Sequence, residues 1–278
     1  MNSRALVLGG GGPVGIAWEA GLLAGLADEG VDVRGADLVL GTSAGSVVGS
    51  AVAAGVELES VAELQRKPGP SGTPPDVSKV VAFFARFPAT GEPSIELRQE
   101  IGRYALAAKT QDEEQFVARM AASLPPGDWP DRFACTAVDA ETGEFRVWRK
   151  SDGVELRRAV ASSCAVPGIF PAVTIQGRKW MDGGMRGSLN VDQAAGHERV
   201  LAVAVIPAVA ARQRLLVRFE AEAATVRAAG GEMMLLAPDD AASAAFGPNL
   251  MDASRRAAVM EAGREQGRKE AARLKPFW

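Results

Sequence analysis

Histidine is almost absent from the sequence, since His197 is the one histidine in 278 residues. Cysteine is nearly as scarce: Cys135 and Cys164 are the two present, and their positions match no metal-ligand spacing. We therefore expect two buried, reduced thiols, with no disulfide framework, no metal site and no organic cofactor. If the chain is an enzyme that moves protons, its base is either His197 or a carboxylate.

An excess of one charge and long apolar runs are also missing. The chain has 31 basic and 34 acidic residues, a formal net charge of −3, and this balance gives no surface for nucleic acid. No run approaches the roughly 18 apolar residues of a membrane span, and the apolar start of the chain is too short for a signal peptide. We predict a cytoplasmic protein, either dissolved or attached peripherally to a membrane.

A strand, a glycine-rich turn and a helix follow one another twice near the start of the chain. Residues 4–8 read as a buried strand before a helix over 14–29, and residues 36–40 read as a second strand before a helix that ends at Ala54. This repetition predicts a layered α/β fold, with a mainly parallel central sheet flanked by helices. We expect a single domain over 1–278.

The middle of the chain begins with a loop rich in proline and glycine over 67–76. Residues 67–125 are predicted to form a helical lid or insertion, in which Val80, Phe83, Phe84 and Phe87 share one face of a helix near 78–88. Further strands are predicted over 133–138, 144–148, 172–175, 179–181, 200–206 and 233–236. Further helices are predicted over 157–163, 212–229 and 252–274.

The pentapeptide GTSAG, residues 41–45, matches the pattern GxSxG between a strand and a helix of small residues. In that context a sharp turn lifts the serine hydroxyl out of the backbone, and the flanking glycines let strand and helix approach closely. Ser43 is therefore the candidate nucleophile. A serine hydroxyl becomes a good nucleophile only when a base accepts its proton.

Two residues are candidates for that base. His197 lies in a loop that leads into a strand from its N-terminal side, whereas catalytic groups of parallel sheets gather beyond the carboxyl ends of the strands. Asp182 follows an extended segment and is flanked by Gly183 and Gly184, which permit a tight turn. The order Ser43, Asp182, His197 also fits a catalytic triad, so both assignments remain open at this point.

The glycine loop GGGGPVG, residues 9–15, has two interpretations. As an oxyanion hole, it would present backbone N–H groups at a helix start, where the helix dipole favours negative charge. As a dinucleotide site, Gly10, Gly12 and Gly15 fit the pattern GxGxxG, and Asp32 lies at about the expected distance. Asp32 precedes the second strand instead of closing it, and this position favours the oxyanion interpretation.

Together these motifs resemble the patatin-like phospholipase family. GGGGPVG is similar to its oxyanion motif, GTSAG to its nucleophile elbow and DGG at 182–184 to its catalytic aspartate motif, in the family's order along nearly the whole chain. The resemblance implies an acyl-enzyme on Ser43, Asp182 as the base, and an oxyanion hole formed by Gly10, Gly11 and Gly12. Val14 stands where the family has arginine or lysine, which favours neutral esters over phospholipids.

We therefore predict a serine acyl hydrolase, of the lipid esterase, phospholipase A or lysophospholipase type, that acts on a lipid or a small acyl ester. Two alternatives stay open. One is a non-catalytic protein of the same fold that binds a lipid or a partner. The other is an NAD(P)-binding protein that uses the glycine loop.

Overall fold

The computed structural model describes residues 3–67, 72–206 and 212–278, which contain eight strands and ten α-helices. The strands are β1 (Arg4–Leu8), β2 (Leu38–Gly41), β3 (Phe133–Asp139), β4 (Phe145–Arg149), β5 (Val173–Ile175), β6 (Arg178–Asp182), β7 (Arg199–Val203) and β8 (Glu232–Leu236). The helices are α1 (Gly12–Asp28), α2 (Ala44–Ala53), α3 (Leu58–Arg66), α4 (Ser78–Ala85), α5 (Ile95–Ala107), α6 (Glu113–Ala121), α7 (Leu156–Ser163), α8 (Arg212–Ala228), α9 (Asp240–Phe246) and α10 (Arg256–Leu274).

The eight strands form one sheet in the order β5-β6-β3-β2-β1-β7-β8, with β4 paired to β3. Strands β3, β2, β1, β7 and β8 run parallel to their neighbours in that order. The pairings of β3 with β4, β3 with β6 and β5 with β6 are antiparallel. The predicted α/β fold with a mainly parallel central sheet is therefore confirmed.

Both faces of the sheet are covered by helices. On β1, Leu6 and Leu8 belong to the larger apolar core, to which α1, α2, α7 and α10 contribute. Ala5 and Val7 point the other way into a second core, to which α8 contributes. Successive side chains of a strand point to opposite faces, so burial on both faces explains why β1 is apolar throughout.

Several predicted boundaries differ from the structure. Helix α1 begins at Gly12 instead of residue 14, β2 begins at Leu38 instead of residue 36, and β7 ends at Val203 instead of residue 206. Helices α3 and α9 were not predicted as separate elements. The predicted loop at 67–76 lies partly outside the described residues, because 68–71 are not described.

The predicted insertion contains helices α4, α5 and α6. Val80, Phe83 and Phe87 of its predicted apolar face are buried, and they pack in a core that includes Met181, the residue before Asp182. The Phe84 ring lies 5.1 Å from that of Phe87, in agreement with a shared face, but Phe84 is 36% exposed. The apolar face of α4 is thus filled by the body of the protein, and movement of 67–125 as a lid stays a prediction.

Within the described residues, no helix is both long enough and apolar enough to cross a membrane.

Helices α1 and α10 pack so closely that glycine is required where they touch. A β-carbon on Gly21 would lie 2.0 Å from the carbonyl oxygen of Met260, and one on Gly25 would lie 2.0 Å from that of Arg264. These obstructing atoms belong to the backbone and cannot rotate away. Both helices would have to separate to admit a methyl group, which would loosen the core beneath the glycine loop.

We expect Gly25→Ala to lower the free energy of unfolding by about 3 kcal/mol, the upper end of the usual cost of overpacking. The measurement is urea denaturation followed by circular dichroism. Gly35→Ala is the matched control, because its β-carbon would meet only the flexible end of the Arg4 side chain. Equal stability of the two variants would contradict the close approach of α1 and α10.

Candidate active site

The site forms where two strand ends meet beside β3. Strand β2 pairs with the first half of β3, with Gly41 opposite Cys135, and β6 pairs with the second half, with Asp182 opposite Ala137. Strand β4 occupies the other flank of β3 at both positions. Because β2 and β6 run in opposite directions along the same flank, their carboxyl ends point at each other. This arrangement brings the residues that follow Gly41 close to Asp182.

Ser43 lies on the turn between β2 and α2, in a strained backbone conformation with φ 52° and ψ −116°. A positive φ is uncommon for a residue other than glycine and costs on the order of 1 kcal/mol. The backbone N–H of Ser43 donates to the hydroxyl of Ser163 at 3.0 Å, and its carbonyl oxygen accepts from the hydroxyl of Ser46 at 2.6 Å. These two bonds hold the turn, as the GxSxG pattern predicts for this segment.

The two glycines of that pattern have a steric role. A β-carbon on Gly41 would lie 2.4 Å from the carbonyl oxygen of Gly45, and one on Gly45 would lie 2.2 Å from the carbonyl oxygen of Leu8. Strand and helix can therefore meet at this angle only without side chains at either position. Ser43 itself is 7% exposed.

Asp182 is 3% exposed, and the Ser43 hydroxyl is near enough to its carboxylate to favour the charged form. The carboxylate accepts from the backbone N–H of Gly184 at 2.7 Å. Burial raises the pKa of Asp182 to about 7, and the Ser43 hydroxyl and the hydrogen bond from Gly184 reduce this shift because they stabilise the charged form. The carboxyl group is thus poised to gain or lose a proton near neutral pH.

A buried set of polar side chains supports this pair from behind. The hydroxyls of Thr42 and Thr136 are 2.8 Å apart, and the amide of Asn190 donates to the Thr42 hydroxyl at 3.1 Å. The side-chain oxygen Oδ1 of Asn190 in turn accepts from Nη1 of Arg186 at 2.9 Å. These bonds tie the Ser43 turn to β3 and to the loop after Asp182. None of the supporting residues Ser163, Asn190 and Arg186 was predicted from the sequence.

The glycine loop passes directly beside Ser43. A β-carbon on Gly10 would lie 3.3 Å from that of Ser43, and α1 begins at Gly12, so the start of the helix faces the site. The Gly10 N–H already donates to the carbonyl of Ser188 at 2.7 Å, which makes it unavailable as an oxyanion donor in this conformation. Within residues 3–67, 72–206 and 212–278, the N–H groups of Gly11 and Gly12 meet no hydrogen-bond acceptor.

Val14 is fully buried, and its N–H donates to the carbonyl of Leu250 at 3.2 Å. Gly12 has φ +57°, and a β-carbon there would lie 2.8 Å from the same carbonyl oxygen and 2.9 Å from the Met251 sulfur. The segment that follows α9 therefore packs against the glycine loop. No cation stands at position 14, as the sequence already shows.

His197 and Asp32 lie away from this site. His197 precedes β7, and the carboxyl end of β7 is hydrogen bonded to the glycine loop. His197 therefore lies where the parallel strands begin, on the side of the sheet opposite the site. Its Nδ1 is 3.0 Å from the carbonyl oxygen of Ala194. Its predicted position at the wrong edge for catalysis is confirmed. The Asp32 side chain is bound to Arg34 in a 3₁₀ turn before β2, and β2 leads into the Ser43 turn instead of ending in an acid. The dinucleotide interpretation therefore has no ribose-binding acid at the expected place.

The two cysteines are buried free thiols, as predicted. Cys164 lies at the site, where its Sγ is 3.3 Å from the carbonyl oxygen of Ser43, and burial raises the pKa of its thiol. In the part of the chain that the structure describes, no three His, Cys, Asp or Glu side chains converge as a metal site would require.

Replacing His197 by alanine is expected to leave ester hydrolysis within about twofold of the parent, since surface changes far from a site have small effects. Steady-state kinetics with a chromogenic short-chain ester provide the measurement. A loss of turnover beyond tenfold, in a variant with the parent's unfolding midpoint, would restore the Ser43, Asp182 and His197 triad.

The fold and this pair of side chains define an α/β protein with a serine on a nucleophile-elbow turn and a buried aspartate beside it. The chain belongs to the patatin-like phospholipase family, whose family model matches residues 6–195. That range contains the glycine loop, Ser43 and Asp182. The comparison with curated protein sequences gave no significant match.

Solved structures support the fold. VipD from Legionella pneumophila aligns with a TM-score of 0.52 at 14% identity, over 98% of this chain and 67% of that chain. The type III effector protein ExoU aligns with a TM-score of 0.44 at 16% identity, over 98% of this chain and 53% of that chain. At these identities the VipD alignment shows a shared fold, and the weaker ExoU alignment adds nothing to it.

Proposed function

We propose that the chain is a serine acyl hydrolase that cleaves carboxylic esters of lipids through an acyl-enzyme on Ser43, with Asp182 as the base. The observation that carries the proposal is that the strained Ser43 lies beside a buried carboxylate whose pKa is about 7. A base is most effective when its pKa lies near the working pH, because it is then ionised and still accepts a proton readily. Membership of a phospholipase family supports a lipid as substrate.

In the first half of the reaction the Ser43 Oγ attacks the ester carbonyl while its proton passes to Asp182. The carbonyl oxygen becomes an oxyanion facing the N–H groups of Gly11 and Gly12, at the start of α1, where the helix dipole favours negative charge. The intermediate then collapses: the bond to the alcohol breaks, and the alcohol leaves with the proton from Asp182. An acyl group remains on Ser43.

In the second half, water attacks the acyl carbonyl and gives a proton to Asp182. The bond to the Ser43 Oγ breaks, the free acid leaves, and the proton returns from Asp182 to Ser43. One base thus serves both halves, and its hydrogen bond to Gly184 keeps the carboxylate turned toward the serine. Of the predicted oxyanion donors, Gly10 is omitted because its N–H is held by Ser188.

Neutral esters fit the site better than anionic phospholipids. Val14 contributes no positive charge beside the oxyanion loop, and its side chain is buried in the core. A substrate with an uncharged alcohol portion therefore loses no electrostatic partner there. Assays that compare monoacylglycerols and short-chain esters with phosphatidylglycerol, an anionic phospholipid, will rank the two classes by kcat/KM.

A fluorophosphonate probe tests whether Ser43 is an activated nucleophile. We expect stoichiometric labelling within minutes, with the adduct located on Ser43 by peptide mass spectrometry, because the probe reacts with serines that a base activates. Ser43→Ala should abolish labelling, whereas Ser50→Ala on the same helix should not, since the Ser50 hydroxyl donates to the Val47 carbonyl. An unlabelled parent would instead favour a non-catalytic protein that binds a lipid or a partner.

A further inference from the structure

A cavity of about 640 Å³ is lined by neither Ser43 nor Asp182, although Arg186, from the polar set behind them, is part of its wall. Its charged wall consists of four cations and two anions: Arg98, Arg146, Arg178, Arg186, Glu92 and Glu144. The apolar part of its wall includes Ile95, Phe145, Trp148 and Trp180. Arg146, Arg178 and Arg186 are also paired with Asp152, Asp139 and Asp192 behind the wall. Arginine donors next to aromatic and aliphatic surface suit a ligand with an anionic end and an apolar end.

Two of these arginines are deeply buried. Arg98 on α5 is 6% exposed, and Arg186, which follows the turn of Asp182, is 8% exposed. The guanidinium of Arg186 lies over the Phe145 ring, 4.4 Å from its centroid. Burial lowers the pKa of Arg98, because the buried guanidinium has lost part of the hydration that stabilises its charged form. Buried cations of this kind need anionic partners.

Glu92 is the anion that both arginines share. Its Oε1 accepts from Arg186 Nη2 at 2.6 Å, and its Oε2 accepts from Arg98 Nη1 at 3.3 Å. Arg186 has a second carboxylate partner, Asp192, at 2.7 Å. Arg98 forms one ion pair within the described residues, and that pair is with Glu92. Glu92 itself lies in the link between α4 and α5, and its side chain is 47% exposed.

The pairing through Glu92 leaves donors unsatisfied. Among the described residues, the Nε–H groups of Arg98 and Arg186 are both buried and have no acceptor. Glu92 gives one oxygen to each arginine. Arg186 has a paired contact with Asp192, at 3.0 and 2.7 Å, whereas Arg98 has none of the paired contacts that its planar fork can make. Buried donors without acceptors cost free energy that a ligand with more acceptor oxygens would recover.

We propose that Arg98 and Arg186 form a binding site for a phosphate monoester, in which the phosphate displaces the Glu92 side chain. A phosphate monoester has three terminal oxygens and carries nearly two charges, so it can accept from both arginines at once, where Glu92 offers each a single oxygen. Ile95 and Phe145 lie beside the arginines and would cover an apolar ester group. The half-exposed Glu92 is free to move out into water.

The site is coupled to two other parts of the molecule. Glu92 tethers the link between α4 and α5 to Arg186, and Arg186 is hydrogen bonded through Asn190 to Thr42, the neighbour of Ser43. A bound phosphate would therefore release the tether of the predicted insertion while it keeps Arg186 in place. The inference does not depend on ester hydrolysis, because binding alone tests it.

Isothermal titration calorimetry with inorganic phosphate, hexyl phosphate and hexanol on the full chain provides the test. We expect both phosphates to bind with one site and hexanol not to bind. Tighter binding of hexyl phosphate would identify a lipid-type monoester as the ligand, and equal binding would identify the free anion. Quenching of tryptophan fluorescence is an independent readout, because Trp148 and Trp180 line the cavity.

Charge variants make the test specific. Arg98→Gln should weaken hexyl phosphate binding at least tenfold, whereas Arg103→Gln, an exposed arginine on the same helix, should not. Glu92→Gln should tighten binding about fivefold because it removes the competing carboxylate, whereas Glu100→Gln should have no effect. If Arg98→Gln does not fold, the Glu92→Gln measurement decides alone. No binding by the parent at millimolar phosphate, or unchanged binding by Glu92→Gln, would overturn the site.

Discussion

Replacing Ser43 by alanine is expected to lower the turnover of a chromogenic ester by at least about 10⁴-fold. Without Oγ no acyl-enzyme forms, and the Asp182 carboxylate loses the neighbouring hydroxyl that favours its charged form. The remaining site has the oxyanion donors and the binding surface, which by themselves still accelerate hydrolysis about 10³–10⁴-fold over the reaction in water. Initial rates at saturating substrate, with enzyme concentrations high enough to detect residual turnover, provide the measurement.

Two comparisons separate loss of the nucleophile from loss of structure. Ser43→Ala removes one oxygen and leaves the bond from the backbone N–H at position 43 to Ser163 available, so its unfolding midpoint should remain close to the parent's. Ser50→Ala should keep full turnover. If Ser43→Ala retained a tenth of the parent's activity, hydrolysis would belong to another residue, and the proposed function would be wrong.

The position of Ser43 could be predicted because its causes are local. Gly41 and Gly45 are needed where strand and helix meet, and both appear in the sequence at fixed spacing from the serine. The buried strand β1 and the glycine loop are likewise a continuous apolar run followed by glycines. Where the determinants of an element lie within a few residues, the sequence displays them.

The partners of Ser43 depend on contacts between distant residues, and the sequence gives little sign of them. Strand β6 reaches the end of β2 only because both pair with the same flank of β3, a register that no local pattern encodes. Asn190 lies 148 positions from Thr42, and Ser163 lies 120 positions from Ser43. Asp182 was predicted as a candidate from its neighbouring glycines, but its closeness to Ser43 required the sheet.

Two features that the sequence alone did not indicate have the same origin. Gly10 is the first residue of the predicted oxyanion hole, yet its N–H is taken by Ser188, a residue from the loop after Asp182. Phe84 lies on the predicted apolar face of α4 but is more than a third exposed, because the surface that covers Val80 and Phe83 does not extend to it. Periodicity and glycine content describe one element at a time, whereas hydrogen-bond partners and burial depend on what packs against it.

Asp182→Asn is expected to lower kcat at least about 10³-fold while it leaves the shape of the site intact. An asparagine can still accept the N–H of Gly184 through its carbonyl oxygen, but it cannot take the proton of Ser43. In the parent, kcat/KM should rise with pH through about 7 and then level off, since the ionised carboxylate is the active form. A flat pH profile for the parent between 5 and 9 would contradict the role of Asp182 as the base.

The same substitution should stabilise the protein at alkaline pH. The pKa of Asp182 is raised on folding, so the folded state holds this proton more tightly than the unfolded state, and the contribution of Asp182 to stability is lost as pH rises from about 4 to above 7. The difference between 3.8 and about 7 corresponds to roughly 4 kcal/mol at about 1.4 kcal/mol per pH unit.

Asp182→Asn carries no charge to bury, so urea denaturation at pH 8.5 should show it to be more stable than the parent, and at pH 4 the two should be nearly equal. Asp139→Asn is the matched control, because this buried carboxylate faces Arg178 at 2.6 Å and its neutralisation should destabilise the protein at pH 8.5. If burial of the Asp182 carboxylate lowers stability but serves catalysis, Asp182→Asn should be more stable than the parent and turn over less substrate. Equal stability of Asp182→Asn and the parent at pH 8.5 would mean that the carboxylate is well solvated, and the raised pKa on which its role depends would be wrong.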